Sequence, residues 1–505
     1  MVKCGFDNEK YLREQSAAIL ERAELFGNKL YLEFGGKLAF DYHAARVLPG
    51  FDPNVKLKLL QRLKDKIDIV ICIYSGDIER KKVRADFGIA YEVDTMRIID
   101  NLRECGLNTR TVVVTRYEDQ PIVKAFMNKL SRRGVTVYAH RAIQGYPTDL
   151  ETIVSDEGYG ANAYIESDKP IVIVTGPGSS SGKMGTCLSQ VYHEHKRGVP
   201  AGYAKFETFP VWNLPLKHPV NLAYEAATAD ICDVNMVDPF HLEAYNSIAV
   251  NYNRDIEIFP VVRRICAKII GNEQLYKSPT DMGVNRVGFA ITDDEVVKQA
   301  AIQEIIRRYF RYQCDYSLGM TDQKTVDRVK MLMNELGAVE TDRTTVVPAR
   351  QAAEAAATTP GKGSDNLFCG AALQLPDGTI ITGKNSPLLH AAAGCVLNAI
   401  KTLAHLPDEL PLISPDVIDS VGMLKKEFLK SKRVSLDLDE ALISLSVSVP
   451  ANPAARLAMK QLSKLSNCEM HLSHMPSSGD AAGLRKLGIN LTSDPNFASH
   501  NLFVD

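Results

Sequence analysis

IVIVTGPGSSSGKMGT, residues 171–186, decides how the first half of this chain is read. An apolar, β-branched run enters Gly176-Pro177-Gly178, passes Ser179, Ser180 and Ser181, and leaves through Gly182-Lys183 into a helix-like pattern. A strand that feeds a glycine-rich turn and a helix start exposes backbone N–H groups at the positive end of the helix dipole. That arrangement attracts anions, phosphate above all. The phosphate-loop pattern GxxxxGK[ST] is the standard for comparison. Gly182-Lys183 matches its GK pair, whereas Pro177 stands where the first glycine belongs and Met184 where the Mg²⁺-holding hydroxyl belongs. Thr186 comes two residues late, about 200° around a helix from that position. Three readings stay open: an altered nucleotide loop, a phosphate cradle of another kind, and a glycine-rich turn that serves packing alone. The phosphate-binding reading uses Gly176, Gly178, Ser179, Ser180, Ser181, Gly182, Lys183 and Thr186.

Outward from the loop the pattern alternates. IDIVICIY (67–74), TRTVVVTR (109–116) and VTVYAH (135–140) are buried-strand runs. Between and around them VKLKLLQRLKD (55–65), VDTMRIIDNLRECG (93–106) and PIVKAFMNKLSRRG (121–134) have helical spacing. KLYLEFGGKLAF (29–40) predicts a strand, a Gly-Gly turn and a second short strand. Strands alternating with helices imply a parallel sheet with crossovers, and such sheets bind ligands at the carboxyl ends of their strands. YSGDIERKKVRADFG (74–88) would bring Arg80, Lys81, Lys82 and Arg84 to that edge, or else form a solvated surface loop. AKFETFPVW and VNMVDPFHLEAY follow at further strand ends, which makes Lys205, Glu207, Asp238 and His241 candidates for metal or acid–base work. This layout loosely resembles the dethiobiotin-synthetase-like branch of phosphate-loop proteins.

Acid-led helix patterns at DDEVVKQAAIQEIIRRYFRYQ and TDQKTVDRVKMLMNELG predict a helical segment, 286–348, between an α/β domain at 1–285 and a C-terminal domain at 349–505. ARQAAEAAATTPGKGSDN (349–366) reads as boundary sequence. GAALQLPDGTIITGKNSPLLHAAAG (370–394) predicts a hairpin, a loop and a helix, and resembles the opening of cytidine-deaminase-like domains. Asn385 and His390 are in register with that outline, but Ala392 replaces the proton-carrying Glu and no P-C-x-x-C follows. Zinc deamination is therefore not expected. SLDLDEALISLSVSV (435–449) and NCEMHLSHM (467–475) read as further strands, and SSGDAAGLRKLGINLTSDP (477–495) as loop. Cys468, His471 and His474 fall outside the common zinc spacings.

The 505 residues carry a net charge of −2, which makes no electrostatic case for nucleic acid or an anionic membrane. No apolar run reaches the roughly 20 residues that cross a bilayer. Ten scattered cysteines without a framework point to reduced thiols and a cytoplasmic setting.

TGPGSSSGKMGT, FETFPVWNLPLKHPVNLAYEAATAD, VDPFHLEAY, NYNRDIEIFP and LPDGTIITGKNSPLLHA together resemble a bacterial family of uncharacterised proteins, domain of unknown function 1846. The resemblance runs nearly end to end. It implies a cytoplasmic, multi-domain α/β protein and no established reaction.

The leading expectation is an enzyme that binds a phosphorylated small molecule at 176–186, with Mg²⁺ and ATP or another NTP as cofactors and no zinc. Phosphoryl transfer or ATP-driven ligation is favoured, with Lys183 neutralising phosphate and Glu207 or Asp238 holding Mg²⁺ or acting as base. The alternatives are a non-catalytic sensor of a phosphorylated metabolite and a phosphosugar enzyme that uses no NTP. A homo-oligomer is consistent with the size.

Overall fold

The computed structural model describes residues 4–84 and 88–499. Apart from its first two residues the chain divides into two units, Lys3–Ala301 and Ile302–Asp505.

The N-terminal unit is built on six parallel strands: β1 (Leu30–Phe34), β2 (Ile67–Tyr74), β3 (Thr111–Thr115), β4 (Thr136–His140), β5 (Ile171–Thr175) and β6 (Gly202–Phe206). Their order across the sheet is β4-β3-β2-β5-β1-β6. All five β5 residues are buried, which is why the run IVIVT lacks polar alternation. The second short strand predicted after Gly36 does not form, and that stretch is irregular.

The order places the glycine-rich loop. From β2 the chain moves outward to β3 and β4, whereas from β5 it moves the other way, past β1, to β6. Right-handed crossovers that leave in opposite directions place their helices on opposite faces. A crevice therefore opens between the carboxyl ends of β2 and β5, the switch point of the sheet. Helix α1 (Tyr91–Glu104) follows β2, and helix α2 (Lys183–Lys196) follows β5 with His193, His195 and Lys196 in its last turn, as the dipole favours. Beyond β6 come a two-stranded ladder of β7 (Asn235–Val237) and β8 (Val250–Tyr252) and helix α3 (Asn253–Ile270).

Helix α4 (Asp294–Ser317) contains the division between the units. The division falls within the stretch 286–348 read from sequence as a helical segment. Phe310 lies 4.8 Å from His471, and Arg343 donates to Glu469 (2.5 Å), Thr492 (2.9 Å) and the carbonyl of Asn490 (3.0 Å). These contacts tie its later part into the C-terminal core.

That core is a mixed sheet of β9 (Gly370–Gln374), β10 (Ile380–Lys384), β11 (Glu469–Leu472) and β12 (Asn490–Ser493), in the order β10-β9-β11-β12. The predicted hairpin, β9 and β10, and the long helix after it are both present. The Ala-rich stretch read as boundary is helix α6 (Val346–Thr358), following α5 (Gln323–Glu335). Its alanines permit close approach to β9: a Cβ on Gly370 would stand 2.2 Å from the Ala349 carbonyl. Helix α7 (Ala391–Leu403) follows the hairpin. Two further expectations fail. SLDLDEALISLSVSV holds helix α8 (Leu438–Ser448), started by a capping box between Asp437 and Glu440. The tail read as loop contains helix α9 (Ser478–Lys486) and strand β12.

Candidate functional site

The loop after β5 turns its carbonyls toward the protein. Lys183 Nζ donates to Gly178 O (3.2 Å), Arg116 to Ser180 O (2.5 Å) and Thr115 Oγ1 to Ser181 O (2.8 Å). Among the described residues no acceptor takes up the amides of residues 178–182. Ser180 and Gly182 both have left-handed backbone, φ 57° and 88°. Left-handed residues in such a loop help successive N–H groups converge on one concave side. At position 182 glycine is required for a second reason: a Cβ would stand 2.7 Å from Thr115. Gly182 is also the N-cap of α2 and offers no side-chain acceptor, so the first-turn amides lack a side-chain cap.

Positive charge converges on this spot from three strand ends. Lys183 is 9% exposed, with Nζ 3.5 Å from Ser181 Oγ, so its charge lies within the loop. Arg116, just past β3, stacks on the Tyr74 ring at 3.4 Å. Arg80 lies over the same ring at 6.0 Å and pairs with Asp77; Lys82 lies 5.0 Å from the Tyr91 ring, beside Gly178. The charged stretch after β2 therefore does reach the loop's edge of the sheet. Lys81 is exposed, and the Arg84 side chain lies outside the described residues. Ser179 and Ser180 are exposed, and Ser181 is buried against Gly176. Thr186 does not join them: it is 2% exposed and its hydroxyl accepts from the Cys72 thiol (3.4 Å).

Further along the same edge, Lys205 near the end of β6 and Glu207 just past it form a charged cluster with Asp255 of α3. Lys205 Nζ donates to both Asp255 oxygens (2.6 and 2.5 Å), pairs with Glu207 at 3.2 Å and bonds the Tyr252 hydroxyl, which donates to Glu207 (3.1 Å). Burial pushes the Glu207 carboxyl up to about 7 against the pull of Lys205, with Asp255 and Glu33 adding negative charge. Burial works against the Lys205 charge, but Asp255 and Glu207 hold its ammonium above the usual range. A void of about 20 Å³ touches Lys205, Glu207 and Asp255, room for about one water. Gly35, read from sequence as a turn, leaves space for Glu207: a Cβ there would stand 2.7 Å from its side chain.

The N-terminal model of domain of unknown function DUF1846 matches residues 4–337, and the C-terminal model matches residues 341–503. The chain belongs to the DUF1846 family. Two relatives called UPF0371 protein, from Clostridium botulinum strains Alaska E43 and Langeland, are each 56% identical over 505 residues, covering the whole of both chains.

In this DUF1846 chain two sequence candidates are occupied by structural work. Asp238 is fully buried, caps Phe240 N and His241 N, and accepts from Thr280 Oγ1 (2.7 Å). His241 bonds Ser278 Oγ through Nδ1 (3.1 Å) and packs on Tyr245 and Trp212. Neither is brought to the loop by a contact. Cys468, His471 and His474 also stay apart: His471 bonds Thr492 (2.9 Å), and among the described residues no group of three or more potential metal ligands gathers. Asn385 is spent on the backbone, accepting from Cys369 N (2.8 Å) and donating to Leu367 O (3.0 Å). No helix among the described residues is long and apolar enough to cross a membrane.

Sequence reasoning missed Arg116, Tyr74, Tyr91, Tyr252 and Asp255. Arg116 had a usable signal, since it directly follows a buried strand and so falls on the ligand-binding edge. Asp255 had none, because it approaches Lys205 from a helix 50 residues away.

Proposed function

We propose that this protein binds the phosphoryl group of a small phosphorylated molecule in the loop of residues 176–183. One observation carries the reading: the loop's carbonyls are taken up by Lys183, Arg116 and Thr115 while its amides stay unclaimed beside the Lys183 and Arg116 cations. Fixed N–H donors and buried positive charge stabilise a dianion without reorganisation. Glu207 is two strand spacings away, about 10 Å across β1. That separation suits a ligand longer than phosphate, such as a nucleotide or sugar phosphate, with Glu207 as the acid–base group at its far end. Its near-neutral pKa fits that work. Phosphoryl transfer and ATP-driven ligation are the reactions this layout serves.

A second reading, a phosphosugar enzyme or sensor that uses no Mg²⁺–NTP, is favoured by one fact. Met184 replaces the metal-holding hydroxyl, and Thr186 is committed to Cys72. Thermal-shift titrations with phosphate, pyrophosphate, ATP and glucose 6-phosphate, each with and without Mg²⁺, separate the two. A rise with ATP that needs Mg²⁺ and disappears in Lys183→Ala supports the first. A rise with glucose 6-phosphate indifferent to Mg²⁺ supports the second. No shift with any of the four removes both.

A further inference from the structure

The C-terminal unit holds its own cavity, of about 720 Å³, in the middle of the range of small-molecule sites. Two helix starts reach it: His390 and Ala391 at α7, Ser478 and Asp480 at α9. His390 Nδ1 lies 2.7 Å from Asp480 Oδ2, and an ionised carboxylate can only accept, so Nδ1 carries the proton. Asp480 is held in place by Ser477 Oγ (2.8 Å) and Leu438 N (2.9 Å) and is nearly buried. His390 Nε2 has no partner among the described residues, and the side chain is 21% exposed, lining the cavity. Arg433 lines it too. Its guanidinium donates to Ala498 O (2.9 Å) and pairs with no carboxylate among the described residues, which leaves most of its five N–H donors free. Leu367, Met475 and Phe497 supply apolar wall.

We propose that this cavity is a second small-molecule site, for an organic anion with an apolar body, in which His390 positioned by Asp480 transfers protons. Arg433 takes the carboxylate or phosphate-ester head. His390 Nε2 accepts the proton of a bound hydroxyl or water: the O–H bond breaks, an N–H bond forms, and Asp480 balances the imidazolium charge. No metal or redox partner is needed. Ala392, which removed the zinc reading, leaves the His390–Asp480 pair untouched.

The test follows carbethoxylation of His390 by diethyl pyrocarbonate, mapped by mass spectrometry on the full chain. Benzoate and phenyl phosphate are the probes, and benzamide the uncharged control. Benzoate or phenyl phosphate should slow His390 labelling about tenfold at ten times its dissociation constant. Which of the two protects better distinguishes a carboxylate from a phosphate-ester head. Arg433→Ala should lose that protection and Arg433→Lys keep part of it, with unchanged thermal midpoints. Lys183→Ala should protect like the wild type, which separates this site from the loop. ¹⁵N spectra of labelled histidine, assigned with His390→Gln, should show the Nδ1–H tautomer. The proposal falls if His390 is not labelled in the free protein, if neither anion protects at about 10 mM, well above the millimolar end of the affinity scale, if benzamide protects equally, if Arg433→Ala protects like the wild type, or if the tautomer is Nε2–H.

Discussion

The guanidinium of Arg116 lies over the ring of Tyr74, 3.4 Å from its centre, two strand ends joined at the mouth of the crevice. The stack holds Arg116 where it also donates to the Ser180 carbonyl. Removing the guanidinium should therefore cost both a charge and the loop's orientation. Arg116→Ala is expected to weaken pyrophosphate binding about tenfold or more, in line with about 1.5–3 kcal/mol for a hydrogen bond to a charged group. Arg116→Lys should recover only part, because ammonium cannot stack as a plane. Isothermal titration measures both, and wild-type affinity in Arg116→Ala would exclude Arg116 from the site.

Gly182 and Gly185 lie three residues apart and should respond oppositely to alanine. At Gly182 the left-handed backbone alone costs an alanine about 1–2 kcal/mol, and the Thr115 side chain 2.7 Å from the new Cβ adds to it. At Gly185, inside α2, nothing lies within 4 Å, and alanine should stabilise by up to about 1 kcal/mol through helix propensity. Urea unfolding of the two variants checks the sign of each. Equal effects would mean the loop is not built as described.

Glu207 should leave a mark on the pH dependence of stability. Its folded pKa, about 7, exceeds the ordinary 4.5, so between those values the folded chain binds more protons than the unfolded chain. Stability contributed by this group must then fall as pH rises from about 4.5 to 7, and level off above. Glu207→Gln should flatten that slope. Urea midpoints at half-unit pH steps in both proteins supply the comparison; parallel curves would show that Glu207 titrates in its ordinary range.

Arg343 is 2% exposed and donates to Glu469 and to two acceptors on β12. Arg343→Ala is expected to destabilise the C-terminal unit by about 1.5–3 kcal/mol, the worth of hydrogen bonds made by a charged group. Arg343→Lys should recover only part of this, as it cannot reach all three acceptors at once. Guanidinium unfolding followed by a probe in that unit provides the measurement, and a loss below about 0.5 kcal/mol, the scale of an ordinary surface change, would contradict it.

How much was readable before the structure depended on the range of the interactions. Strands β2, β3 and β5 of the parallel sheet and the glycine-rich turn were legible because burial on both faces writes an unbroken apolar run, and the left-handed turn at Gly182 favours glycine. SLDLDEALISLSVSV misled because serine and valine alternate as in a strand. The capping box at Asp437 and Glu440 and the buried Leu438, Ala441 and Leu445 instead make it a helix. Thr186 was read as a phosphate contact because it lies near Lys183 in sequence; only its neighbour Cys72, on β2, revealed its use.

By itself the sequence determined local geometry: that the apolar runs of β2, β3 and β5 are strands, where the chain turns at Gly182, and that a lysine opens the following helix. Those follow from backbone sterics and burial, which act over a few residues. Only the tertiary structure decided that Arg116 and Tyr74 meet the loop, that Glu207 is pressed up to about 7, and that His390 faces Asp480 across 90 positions. Strand order and side-chain desolvation are properties of the folded whole, and neither is written in the spacing of residues along the chain.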